Sequence, residues 1–279
     1  MVSRLPGAIA RALLVVLLIV TPSVLVPDAS SDAQQIVALV AIFAAILTLV
    51  EYASSYPGLV EFRDAPPFNR VRFGSLFATV LVLAIIMRGH TDPTTLTEFV
   101  TAVGTIIGHS IDFPYSPVRL VVLMMPDQTD AALVADVRTA AGISYLISLL
   151  SLTVFVMALG VNHWPTRSGA FNVWVNLPTF DPTAGGDVVE RLNRDARINI
   201  ALGFLLPFLI PAIVKLASNI FDPVSMSNSH TLIWTMTAWA FLPASLFMRG
   251  IAMGRVASMI EEKRKRTYAQ AQKEQLQTA

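Results

Sequence analysis

Residues 198–221 read INIALGFLLPFLIPAIVKLASNIF. This run decides the fold. It is long and apolar enough to cross a bilayer as a helix, which takes about 20 such residues. Pro207 and Pro211 stand four apart and so share one helix face. A proline has no N–H to offer the carbonyl four residues back. The carbonyls of Gly203 and Pro207 therefore lose their helical partners. Lipid supplies no replacement, so another helix, a hydroxyl or a water has to do so. The segment reads as a kinked helix packed among others rather than a plain anchor.

Working outward, similar apolar runs cover residues 8–27, 35–53, 71–87, 142–161 and 231–248. The 279 residues are 54% hydrophobic and only 14% charged, where a soluble domain carries about 25% charged residues. The expected fold class is all-α: a polytopic integral membrane protein with six transmembrane helices. Residues 1–255 read as one transmembrane helical domain and 256–279 as a helical cytoplasmic tail. Cysteine is absent. That excludes disulfides, thiolate metal sites, iron–sulfur clusters and cysteine nucleophiles.

The first run has two readings. Arg4 and Arg11, the apolar stretch 12–20 and the small residues near Ala29 resemble a secretory signal peptide. An uncleaved first span is preferred, because multi-spanning chains commonly start on their first helix.

Between the third and fourth spans, Asp92-Pro93 reads as a helix start. Leu96, Val100, Val103 and Ile107 then recur at helical spacing, with Phe99 and Ile106 beside them. Thr95, Glu98, Thr101 and Thr105 take other faces. This predicts an extra amphipathic helix on the outer side of the membrane. Residues 118–125 are apolar but too short to span. Before the fifth span, Asp187 reads as an N-cap with Glu190 as its capping-box partner.

Orientation follows from the basic residues. With six spans and the N-terminus inside, 16 of the 20 Lys and Arg fall on the cytoplasmic side. The exceptions are Arg88, Arg119, Arg138 and Lys215. The expected location is a bacterial inner membrane, with both termini cytoplasmic. Trp164, Trp174 and Trp234 lie near span ends, as interfacial aromatics do.

The candidate site residues are Gly203, Pro207, Pro211, Lys215, Ser148 and Thr235. Broken helices in transporters expose carbonyls that bind ions or substrate; a kink satisfied by neighbours is the plainer reading of the two prolines. Ser148 and Thr235 are the hydroxyls nearest to hand for the freed carbonyls. Ser144, Ser148 and Ser151 form one stripe, and Thr231, Thr235 and Ala238 another; such stripes serve close helix packing or a hydrophilic path. Lys215 is either functional or snorkels to the interface, with Asp222 as partner. Glu51 is expected to pair with Arg63 or Arg70. The four histidines sit in connections or at span ends, which disfavours a haem between helices. A surface metal site from His90, His109, Asp92 and Asp112 is the remaining option. Gly250 and Gly254 match GxxxG at a helix end.

No Walker loop, GxSxG, HExxH or dinucleotide fingerprint occurs. No acidic residue stands mid-span, which counts against a proton-coupled carrier. The tail cluster Lys263, Arg264, Lys265 and Arg266 is balanced by Glu261 and Glu262. It reads as a solvated helix and not a nucleic-acid site. No catalytic, cofactor or metal residues are expected, so the chain is read as no enzyme. The leading reading is a non-catalytic accessory, scaffold or assembly subunit of a larger membrane complex. Its partners are the lipid bilayer and other membrane subunits. The alternative is a small transporter or channel built on the kinked fifth helix. A lipid-acting membrane enzyme is a third class, with no residues to support it.

Overall fold

The computed structural model describes residues 4–26, 30–161, 164–165, 171–181, 183, 185–218 and 225–278. Every regular element among them is a helix: α1 (Leu5–Leu25), α2 (Ser31–Ala53), α3 (Phe68–Arg88), α4 (Thr95–Ile111), α5 (Pro117–Met124), α6 (Ala131–Val161), α7 (Val173–Asn176), α8 (Val188–Ala217) and α9 (Ser229–Thr278). Six of them, α1, α2, α3, α6, α8 and α9, are long and apolar enough to cross a membrane. The chain is a polytopic membrane protein.

Local chemistry sets the helix starts. Ser30 accepts a hydrogen bond from the Ala33 N–H at the head of α2. Ser116 does the same for Arg119, with Pro117 at the first position of α5. Such caps satisfy N–H groups that have no partner within the helix. The start of α4 falls two residues later than Asp92-Pro93 suggests. Thr94 and Thr97 form a reciprocal capping box there, and Asp92 instead pairs with Arg88 at 2.7 Å. Asp187 caps α8 as expected, accepting from Val189 at 2.8 Å; its other partner is Arg264.

α9 is the centre of the bundle and packs on α8, α6, α3 and α1. Its seam with α8 is the most extensive. The buried residues of α8 are Val189, Leu192, Ala196, Asn199, Gly203, Pro207 and Pro211. Their spacing of three or four is that of one helix stripe. A Cβ on Gly203 would lie 2.7 Å from the Phe247 nitrogen and the Pro243 oxygen of α9. One on Gly250 would lie 2.7 Å from the Ala196 oxygen. Glycine is required at both points because backbone meets backbone. Gly254, its GxxxG companion, has only Ala196 Cβ at 3.9 Å. The close approaches are thus made by Gly203 of α8 and Gly250 of α9, each against backbone of the facing helix.

α2 is peripheral. Only Ala41 and Glu51 are buried along it, and its main neighbour is α1. Its Ile, Leu, Val and Phe side chains face outward, as a lipid-facing helix requires.

At one end of the bundle, called here the loop side, residues 54–67 and 171–181 fold over the helix ends. Phe62, fully buried at a φ of 51°, donates its N–H to the Asn176 carbonyl at 2.7 Å. Its ring packs against Phe68 at 4.6 Å and Trp164 at 5.6 Å. Trp164 is therefore a core residue, 7% exposed, and not an interfacial one. Its indole N–H donates to the Ala65 carbonyl at 3.3 Å. Met248, Ala252, Met253, Val256 and Ala257 of α9 complete this core. The sixth span and the residues of the tail lie in one helix, α9.

At the opposite end α4 packs on α6. A Cβ on Gly142 would sit 2.6 Å from Gly108 Cα. The face of α4 turned to the bundle is Thr97, Gly104 and Gly108, while Leu96, Phe99 and Ile106 point away. The apolar stripe read from spacing is thus split, with only Val100, Ile107 and Ile111 joining the core. Small residues won the inner face because close approach to α6 leaves no room for larger ones.

Candidate functional site

The freed carbonyls of α8 are the first place to look. Pro211 removes the N–H that Pro207 O would accept. That carbonyl instead receives the indole N–H of Trp239 on α9, at 3.1 Å in a buried setting. Neither Ser148 nor Thr235 takes this role. A tryptophan 4% exposed in mid-helix supplies the hydrogen bond that lipid cannot. The ring also packs 5.9 Å from Tyr145. Trp239 was the residue missed; its place between Met236 and Ala240 on the buried face of α9 was the available signal.

Gly203, Pro207 and Ser148 do come together, around a cavity of about 70 Å³. Tyr145, Phe204, Pro243 and Phe247 also line it. Pro211, Lys215 and Thr235 do not. The serine stripe of α6 is buried as expected, and Ser151 donates to the Ser148 carbonyl. The Thr231, Thr235, Ala238 stripe is not a packing face: both threonines are half-buried and Ala238 is exposed. The buried side of that helix is Leu232, Ile233, Met236 and Trp239.

The Trp239 bond makes a direct prediction. Trp239→Phe should destabilise the detergent-solubilised protein by about 1–3 kcal/mol, the usual cost of stranding a buried polar group. Pro211→Ala restores an N–H to the Pro207 carbonyl, so the same Trp239→Phe change should then cost clearly less. Thermal melts of the four proteins in this cycle measure the coupling. Equal costs in both backgrounds would show that the bond is not what Trp239 provides.

Lys215 reaches the end of the bundle away from the loops. Its ammonium donates to the Met125 carbonyl at 3.2 Å and lies 3.8 Å from Asp127. Its side chain is 46% exposed, as a snorkelling lysine is. Asp222, its expected partner, lies outside the described residues. On the same side, Asp112 takes Arg138 at 2.7 Å and Arg119 at 3.4 Å, and His90 faces Asp136 at 3.4 Å. Asp112 and Asp92 thus already have arginine partners, and no cluster of metal-ligating residues occurs among the described ones.

The loop side holds the densest polar chemistry. Glu51 accepts N–H bonds from Gly58, Leu59 and Val60 at 2.9–3.1 Å. Three convergent amides form an anion nest. Arg63 is near, as predicted, but spends its donors on the carbonyls of Glu51 and Ser54 and on Asp64. Glu61 reaches across to α9 and pairs bidentately with Arg249, at 2.6 and 2.8 Å. Thr179 donates to the same carboxylate at 2.6 Å. Burial alone would push the Glu61 carboxyl up, yet the hydrogen bonds from Arg249 and Thr179 and the Arg249 charge hold it below the usual range. Asp187 is held low by the Val189 amide and by Arg264.

Beside this assembly runs a groove of about 760 Å³. Phe171, Val173, Met259 and Ile260 give it apolar walls, and Lys263, Arg264 and Arg266 a basic edge. α9 runs along it and past it. All residues from 261 to 276 are exposed. Glu261–Lys265 and Glu262–Arg266 pair along it at 2.7 and 3.6 Å.

No protein-family model matches this sequence, and no curated protein or solved structure is significantly similar to it.

Proposed function

We propose that the chain is a non-catalytic accessory, scaffold or assembly subunit of a larger complex in a bacterial inner membrane. Its docking face is the loop side together with the α9 arm. The arm carries the proposal. Residues 261–276 extend about 24 Å at 1.5 Å per residue; all of them are exposed, and the root of the arm is tied to α8 by Arg264 and Asp187. A short helix that is polar all round is marginal in water by itself. Its exposed Glu261–Lys265 and Glu262–Arg266 pairs add little, because solvent screens them. An arm of this kind, rooted in a rigid membrane bundle, suits a second subunit lying along it.

The transporter reading has less behind it. Its favoured carbonyl at Pro207 is occupied by Trp239. The cavity beside it is about 70 Å³ and mostly apolar-lined, where a solute path needs room and convergent polar groups.

Purification of the full chain in mild detergent tests the proposal. A stoichiometric partner is expected, and reversing the arm charges at Lys263 and Arg266 to Glu, with Arg264 left on Asp187, should release it while the melt of the bundle is kept. A lone monomer or homodimer from the native membrane would overturn it.

The orientation belongs to the same reading: loops and both termini in the cytoplasm, α4 on the outer surface. Reporter fusions after Asp32, Arg70, Asp127, Gly185, Asn228 and Lys273 should alternate outside, inside, outside, inside, outside, inside. Cysteines placed at Thr95 and Glu98 should label from outside. A tail reporter found outside reverses the assignment.

A further inference from the structure

The bundle contains a second polar cluster, among the loop-side ends of α1, α2 and α3, that packing does not explain. Tyr52, in the last turn of α2, lies under the Arg11 guanidinium at 4.6 Å from its ring centre. The charges of Arg72 and Arg63 also act on Tyr52. Arg72 is held between two aromatic faces, 5.0 Å from Phe68 and 5.9 Å from Phe241. Its Nε is buried and has no hydrogen-bond partner.

The charge balance here is incomplete. Arg63 has Asp64 at 3.2 Å. Arg249 has both oxygens of Glu61. The carboxylate nearest in effect to Arg72 is that same Glu61, already committed. Arg11 donates to the Gly7 carbonyl at 2.7 Å and pairs with no carboxylate among the described residues. Arg11, which is exposed, and Arg72, which is half-buried, thus both act on Tyr52, with Glu61 the carboxylate whose charge reaches Arg72. A charge removed from water without a paired, hydrogen-bonded counter-ion is costly.

Position identifies the missing group. Arg11 and Arg72 each lie within two turns of the loop-side end of an apolar helix, hence about 6–9 Å along it at 1.5 Å per residue. The boundary between hydrocarbon and headgroups is at such a depth. A phosphate fits the donors, because a guanidinium presents a planar fork that matches two phosphate oxygens. Tyr52 adds a hydroxyl donor. Basic pockets between membrane helices hold lipid headgroups in this way.

We propose that Arg11, Tyr52 and Arg72 form a phosphate-binding site at the loop-side leaflet, taking the phosphate of an anionic phospholipid headgroup. Two guanidiniums with only the shared Glu61 carboxylate to offset them favour a headgroup with net negative charge over one that carries its own cation. The site is independent of the docking arm and of any partner.

The test uses the full chain in neutral detergent, with melting temperature and native mass spectrometry as readouts. Phosphatidylglycerol, phosphatidylcholine and inorganic phosphate are the three probes. Phosphatidylglycerol should raise the melting temperature and remain bound, and phosphatidylcholine should do so much less. Arg72→Gln and Arg11→Gln should each weaken phosphatidylglycerol binding roughly fivefold or more. Arg72→Lys keeps the charge but loses the fork, and should fall between. An equal effect from inorganic phosphate, lost in the same variants, would assign the site to a free anion instead of a lipid. Equal responses of the unmodified chain to the two lipids would overturn the proposal. So would unmodified-like phosphatidylglycerol binding in both Gln variants. Should Arg72→Gln fail to fold, the unmodified titration and Arg11→Gln still decide the matter.

Discussion

Gly203→Leu should prevent α8 from closing on α9. A Cβ at this position already lies 2.7 Å from the Phe247 nitrogen and the Pro243 oxygen, and 2.8 Å from Phe247 Cβ. Two of these three atoms are backbone, so no rotamer change makes room. Overpacking a tight site costs about 1–3 kcal/mol and more where nothing gives way. Whole-domain stability is only about 5–15 kcal/mol. The helices must therefore separate, and the Trp239 bond to Pro207 goes with them. Gly203→Ala is the milder case, because alanine regains about 1 kcal/mol of helix propensity. Gly74 and Gly160 are the controls: nothing lies within 4 Å of a Cβ on either. Leucine there should leave the melt near that of the unmodified chain. A Gly203→Leu protein that melts with the Gly160→Leu control would disprove the close-contact account.

That glycine shows what the sequence made legible and where it stopped. The six spans followed from apolar length alone, and lipid exposure rewards nothing else. Pro207 and Pro211 announced freed carbonyls, since backbone chemistry is local. Which group answers them was not local. Trp239 lies 32 residues from Pro207, and no periodicity links an indole on one helix to a carbonyl on the next. The two hydroxyl stripes looked alike in sequence, yet only the one on α6 is buried. A rule for small residues says that helices approach closely but not which ones. Loop chemistry was the least legible. Glu61 and Arg249 are 188 residues apart, and their meeting depends on Phe62 seating the first loop into the second. Helix starts were legible where a single cap marks them, as Asp187 does for α8. At α4 two caps competed, and the reciprocal Thr94–Thr97 box won over Asp92, which Arg88 holds.

The Glu61–Arg249 pair carries the other large effect. It is the bond between the first loop and the central helix, with side chains 12% and 27% exposed. Removing one partner of a buried pair leaves an uncompensated charge and costs about 3–5 kcal/mol. The partial exposure of Arg249 places Arg249→Met toward the lower figure. The pair of changes, Glu61→Gln with Arg249→Met, should cost less than the sum of the single ones, because neither stranded charge remains. Acid gives an independent readout. The Glu61 carboxyl is held below its ordinary value in the folded chain: burial opposes this, but the Arg249 and Thr179 hydrogen bonds and the Arg249 charge outweigh it. A group with a depressed folded value binds protons more readily when unfolded. Its stabilisation is therefore complete above the ordinary carboxylate value of about 4.3 and fades as pH falls through the lower, folded value. The unmodified chain should lose melting temperature steeply between about pH 4.3 and the lower folded value. Glu61→Gln should start lower at neutral pH and show a shallower fall over that interval. The comparison needs only melts of the two proteins in the same detergent across pH 3–7. Parallel curves would mean that Glu61 titrates alike in the folded and unfolded chain, and that the latch between loop and bundle lies elsewhere.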